Sequence, residues 1–256
     1  MSKICTSAIG VLALALSAGS ARATMFAWDW AIGDPGSSGI NNAGGTYESI
    51  HAEFDTVSSR LLWSVTFSDQ VTEGFTLALN NGPNPKGHAG ELALLYVDAR
   101  VAGNVRIAAY AYNGQNTRDS FKDGNGNVAG NQAPDFIEDM GAAGHINSAS
   151  VTDAGGKRTI VFDIDASAIN AHNPVYPDAV DPWFGIGYAE KLGLWMHPYQ
   201  GFAPTYNPNG SIASLSVRSQ GWFDGSNFDT DMMTPTPGTL ALAGLAGVAF
   251  GRRRRS

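Results

Sequence analysis

TYESIHAEFDTVSSRLLWSVTFS, running from Thr46 to Ser68, is the stretch that decides the fold. In its first half Ile50, Ala52 and Phe54 fall on one side of the chain, with His51, Glu53 and Asp55 on the other. In its second half Leu61, Trp63, Val65 and Phe67 recur at every second position. A period of two is the mark of a half-buried strand, because successive side chains point to opposite faces of a sheet. GFTLALNNG, ELALLYVDA, NVRIAAYAYNG, KRTIVFDIDAS, WFGIGYAEKLGLWM and SIASLSVRSQGWF extend the rhythm from Gly74 to Phe223, with turn formers such as NNGPNPKG and DAGGK between them. The pattern predicts nine or ten strands, no long helix and no internal repeat of fixed period. Short segments so spaced favour an all-β, single β-sandwich of jelly-roll or lectin-like type over a fold with helical crossovers.

Composition agrees with a turn-rich surface protein. The 256 residues include 31 glycines, only 15% are charged, and the formal net charge is -7. Outside the last few residues the basic side chains are scattered singly. Nucleic-acid binding, which needs a clustered basic face against the phosphates, is therefore not expected. The one cysteine, Cys5, lies near the start, so the body of the chain has no disulfide to lean on and must be held by its core.

The two ends read as targeting signals. MSKICTSAIGVLALALSAGSARAT opens with a lysine, continues through an apolar stretch from Ile9 to Ala18 and reaches the triplet Ala21, Arg22, Ala23. A basic start, a short apolar core and an A-x-A site are the parts of a secretory signal peptide, so residues 1–23 are expected to be removed with cleavage after Ala23. Cys5 precedes the apolar core, whereas a lipoprotein cysteine follows it. Residues 24–234 then form the β-sandwich domain, and 235–256 a C-terminal anchor or sorting region. There, Thr239 to Gly251 (TLALAGLAGVAFG) is about thirteen residues, short of the roughly twenty that cross a bilayer comfortably. Spanning would need thinning or snorkelling arginine stems, with Arg252, Arg253, Arg254 and Arg255 on the cytoplasmic side. A permanent anchor is the alternative to a removable one.

A Pro-containing element, a short apolar helix and a terminal arginine cluster, in a chain with a signal peptide, resemble the PEP-CTERM sorting region of exported bacterial proteins. The resemblance rests on Pro235, Thr236, Pro237, Gly238 and the four arginines, where the family's Pro-Glu-Pro has become Pro-Thr-Pro. It implies an exosortase, a membrane protease that recognises and removes the tail, as a partner. It also implies release to the cell surface or an exopolysaccharide-rich matrix.

Between the ends, Asn113 to Gly144 breaks the rhythm with some thirty residues of low apolar content. A loop that long in a compact domain is usually functional or disordered. One helical turn is expected over Pro134 to Met140, with Pro at the first helical position. Asp123, Asn125 and Asn127 in DGNGN carry the one-three-five oxygen spacing of an EF-hand loop and are the candidate calcium ligands, with Asp119 or Asp135 as additional donors. Val128 stands where the motif needs Gly and Pro134 where it needs the bidentate acid, so an Asx-rich turn is the competing reading. A second acidic group, Asp224, Asp229 and Asp231, reads as a solvated linker. The five histidines form no H-E-x-x-H pair, and zinc is not expected.

Catalytic patterns are sparse. Glu53 and Asp55 share one strand face, as the paired carboxyls of a glycosidase do, and EFDT resembles the start of the E-x-D-x-x-E element of laminarinase-type glycosidases. Ser58 replaces the third acid. No G-x-S-x-G elbow and no phosphate-binding glycine loop is present, so no catalytic residue is assigned. Trp183, Trp195, Tyr199, Phe202 and Tyr206 cluster among Pro, Gly and Asn. Flat rings beside amides are what sugars stack on, so Trp183, Trp195, Tyr199 and Tyr206 are candidate ligand residues, with core packing as the other reading. Tyr110 and Tyr112 share one strand face and must meet either a second layer or a ligand. The sequence thus predicts a non-enzymatic, carbohydrate-associated exported protein that needs no cofactor beyond a calcium ion. A secreted carbohydrate-active enzyme and a purely structural matrix protein are the alternatives.

Overall fold

The computed structural model describes residues 25–32, 39–80, 85, 90–112, 120–122, 134–176, 179–180, 182–186 and 192–224. The expected signal peptide, the sorting region and the DGNGN loop with Asp123, Asn125 and Asn127 lie outside these residues, as do Asp229 and Asp231.

In chain order the strands are β1 (Met25–Ala31), β2 (Gly39–Asn41), β3 (Tyr47–Asp55), β4 (Arg60–Phe67), β5 (Gly74–Asn80), β6 (Leu92–Asp98), β7 (Arg106–Tyr112) and β8 (Asp135–Asp139). There follow β9 (Ile146–Ala154), β10 (Lys157–Asp165), β11 (Gly193–Gln200), β12 (Ala203–Tyr206), β13 (Ile212–Ser216), β14 (Ser219–Gln220) and β15 (Trp222–Asp224), with one four-residue helix among the described residues, α1 (Ser167–Asn170). The fold is all-β and sandwich-like. One antiparallel sheet runs β1-β3-β4-β10-β9, a second runs β2-β15-β11-β5-β6-β7-β8 with β14 also pairing β11, and β12-β13 form a separate hairpin.

The alternation in Thr46–Ser68 sets the first sheet. Asp55 pairs with Arg60 across the β3–β4 turn, where the Asp55 carboxylate accepts the Val57 N–H at 2.9 Å and Ser59 takes a left-handed φ of 57°. Leu61, Trp63, Val65 and Phe67 are fully buried, and the residues between them are only half-buried. Trp63 sits in the middle of the sheet, opposite Ala52 on β3 and Phe162 on β10. DAGGK closes the β9–β10 hairpin with Gly155 and Gly156 at φ of 61° and 80°, the two positive values that suit a hairpin's twist and that glycine adopts without strain.

The second sheet contributes Phe75, Leu77 and Leu79, Leu95 and Val97, Ile107, Leu194, Met196 and Phe223 to the same core. The Tyr47 hydroxyl donates to the Met196 carbonyl at 3.2 Å and ties the two layers together. Unlike β4, strands β5 and β6 are buried at every position. Their other face has its own apolar cluster, in which Leu94, Tyr96, Ala108, Tyr110 and Tyr112 pack with Phe121 and Ile212. The tyrosine face of β7 therefore meets protein, not solvent. The Ile212 N–H donates to the Tyr110 hydroxyl at 2.7 Å, and burial pushes that phenol up to about 12.

Two expectations change. Asp135–Asp139, predicted as a helical turn, is strand β8 on the edge of the second sheet, pairing Phe136 with Tyr110. The chain also breaks into more strands than periodicity predicts, because Ser211–Phe223 is divided among β13, β14 and β15, and β11 begins only at Gly193. Among the described residues no helix is long and apolar enough to cross a membrane.

Candidate functional site

On β11 the side chains alternate between layers. Leu194 and Met196 enter the main core, which puts Trp195, His197 and Tyr199 on the opposite face of the second sheet. On neighbouring β15, Phe223 is in the core and Trp222 is on that same outer face, 36% exposed. The backbone brings the strands close: Gly221 N–H donates to the Pro198 carbonyl at 3.0 Å, and a Cβ on Gly221 would lie 2.3 Å from the Asn41 carbonyl oxygen. Only glycine fits there.

Within this patch the Trp195 and His197 rings lie 5.2 Å apart at 39°, and the Gln220 amide is 2.7 Å from His197 Nδ1. Trp195 is partly buried and Trp222 presents the most exposed ring of the group. The exposed Trp222 ring supplies a flat apolar surface of the kind a sugar ring stacks on, while His197 is buried and holds the Gln220 amide in place.

The other candidate rings are committed within the chain. Tyr199 is fully buried, stacked on Phe202 at 5.4 Å, with its hydroxyl 3.0 Å from Thr76 Oγ1. Tyr206, on the hairpin, has the Arg106 guanidinium 3.6 Å above its ring and donates its hydroxyl to Asp98 at 3.2 Å. Arg106 also pairs with Asp139. These contacts fasten the hairpin over β6 and β7, leaving the β11–β15 side of the face as the candidate patch. Trp183 is elsewhere, half-buried against the main core with its ring edge-on to His172 at 5.3 Å. The structure therefore brings Trp195, Tyr199 and Tyr206 to one face of one sheet but leaves Trp183 apart. His197, Gln220 and Trp222 were not singled out from sequence; the one signal was QGWF at the end of the last alternating segment.

The carboxylates of the glycosidase reading lie on the outer face of the first sheet. His51 bridges two acids there, with Nδ1 2.7 Å from Asp29 and Nε2 3.2 Å from Glu53. Asp55 is spent on the β3–β4 turn, and the Val57 N–H it accepts holds its carboxyl below the usual range. Both acids thus have local partners on an open strand face. A depression beside Trp30, Tyr47 and Phe223 has a volume of about 10 Å³, room for one water and not for a sugar ring. Among the described residues no group of three or more metal-ligating side chains is placed to hold an ion.

His51 and His145 give the domain a pH dependence. Burial pushes the His51 imidazole down, but its hydrogen bonds to Asp29 and Glu53 outweigh this and raise it. His145 is raised chiefly by Glu138, 2.6 Å from its Nδ1. A raised folded-state pKa adds stability that is fully present below the unfolded histidine value, roughly 6.5, and is lost as pH rises through the folded value. The melting temperature is therefore expected to fall from mildly acid to mildly alkaline pH, and the slope should flatten in a His51→Gln, His145→Gln double variant. A variant as steep as the parent would place the dependence elsewhere.

No family model matches the chain, and no curated protein matches it. A solved structure described as "pH-induced modulation of Streptococcus parasanguinis adhesion by Fap1 fimbriae" is 14% identical across 80% of this chain and 92% of that chain, at a TM-score of 0.20. A likeness so low carries no argument.

Proposed function

We propose that this is an exported, non-catalytic protein of the cell surface or extracellular matrix, with a lectin-like sandwich body and a removable C-terminal sorting region. The observation that carries the reading is the pairing of two ends: a basic–apolar–A-x-A start, and a Pro-Thr-Pro, short apolar run and Arg252–Arg255 finish. On this reading the chain inserts with its arginines in the cytoplasm and its body outside, and an exosortase-like protease removes the tail. An enzymatic role through Glu53 and Asp55 has less support, since both acids have local partners. Carbohydrate association rests on the β11–β15 patch, where Trp222 offers an exposed ring on the same sheet face as Trp195.

Truncation after Thr234 tests the sorting claim. In the native host the parent chain is expected in the envelope and matrix fractions, and the truncated chain is expected to move to the culture medium. An unchanged distribution would sink the claim. Trp222→Ala, at an exposed position, should weaken retention on the host's exopolysaccharide about tenfold if a stacked ring contributes the usual 1–1.5 kcal/mol.

A further inference from the structure

We propose that β9 is a self-pairing edge: two copies of this chain join through antiparallel β9 strands, related by a two-fold axis at Ser150, making one continuous sheet from two five-stranded ones. β9 ends the first sheet, paired with β10 on one side only. Among the described residues its nine residues make no backbone hydrogen bond outside that ladder. Most of its positions are exposed. A strand of this length thus presents an unpaired row of N–H and C=O groups, the template that another strand completes.

On β1, the other edge of this sheet, Trp28, Trp30 and Ala31 already have partners, and both edges of the second sheet are guarded. β2 has three residues. β8 carries Asp135, Glu138 and Asp139, which lie against His172, His145 and Arg106. A β8 self-pair centred on Ile137 would set Asp135 against Asp139 of the second copy, like charge on like. β9 has neither Pro nor Lys, and its one charge, Asp153, is neutralised by Arg158 of its own chain at 2.7 Å.

The occupant follows from the strand's own symmetry. In a flat antiparallel pair, opposed residues share a face, so the dyad must pass through a residue and not between two. An axis at Ser150 sets Ser148–Thr152, the regular stretch just past the Asn147 bulge, against the same five residues of the second copy. Ser148 then faces Thr152 of the second copy, Ser150 faces its own mate, and Ala149 faces Val151 of the second copy. Ala149 and Val151 are only partly buried against the core, and the pairing covers them with each other. Hydroxyl pairs and apolar pairs are favourable cross-strand neighbours, and no like charges meet. The bulge at Asn147, opposite Asp163 and Ile164, confines the regular ladder to the strand from Ser148 onward.

Cysteine trapping in the full chain tests the register. With Cys5→Ser removing the native thiol, Ser150→Cys places two thiols opposite each other across the dyad, with Cβ atoms about 5 Å apart and near disulfide reach. Ser148→Cys alone leaves its thiols about 13 Å apart along the strands. The expected result is a disulfide-linked dimer from the first variant and loss of that band from the second, restored when Ser148→Cys and Thr152→Cys chains are mixed. Ser150→Lys, at an exposed position, should abolish the two-copy species in sedimentation while its melting curve, taken at concentrations too dilute for association, stays that of the parent. Equal cross-linking at both positions would mean association through the apolar tail or by collision, and no cross-linking would mean a free edge; either overturns the proposal.

Discussion

Trp63→Ala is expected to cost about 3–5 kcal/mol of folding stability, enough to leave the domain unfolded or marginal at growth temperature. Trp63 is fully buried in the centre of the first sheet, with Ala52 and Phe162 as its cross-strand neighbours. Removing the indole deletes a large apolar surface and leaves a cavity between two sheets that are held apart by strand ladders and cannot collapse into it. Val161→Ala, half-buried on the other face of the same sheet, serves as the control and should cost far less. Urea unfolding checks both. A small loss from Trp63→Ala, comparable to the control, would contradict the shared core described above.

Gly44→Ala should be nearly as damaging, about 3 kcal/mol, by the opposite mechanism of overpacking. A Cβ on Gly44 would lie 1.9 Å from the Pro198 carbonyl oxygen and 2.8 Å from the Gly221 nitrogen. Both are backbone atoms, so no rotamer change relieves the clash. The β2–β3 loop would have to lift from β11 and β15, and the Thr72 hydroxyl would lose the Gly44 carbonyl it donates to at 2.8 Å. Because Gly221 and Pro198 also set the spacing beneath Trp222 and His197, glycan retention should fall along with stability. Gly103→Ala, where the added methyl meets nothing within 4 Å, isolates the cost of the positive φ alone. Equal midpoints for the two variants would show that the close approach at Gly44 is unimportant.

How legible the fold was depended on how many layers cover a strand. β3 and β4 have one face in the core and one towards solvent, so their period of two is visible and marks the correct inward residues. β5 and β6 lie between the core and a second cluster, so both faces are apolar and alternation says nothing about direction. β8 was hidden because DFIED is acidic and follows a proline, features that argue against a strand. Arg106, His145 and His172 supply the partners of these acids, and all three are distant in sequence or across a turn. The aromatic face was visible as composition, but its division into used and available rings was not. Tyr206 is taken by Arg106 and Asp98, Tyr199 by Phe202 and Thr76, and the patch around Trp222 and Gln220 arises only when β14 and β15 pair with β11.

Peptide mapping by mass spectrometry of the protein isolated from the envelope and matrix of its native host bears most directly on export and sorting. A mature chain that starts near Thr24 and yields no peptide reaching Arg252–Arg255 is the predicted result. Matrix material that still carries the four arginines, or that begins at Met1, would contradict it.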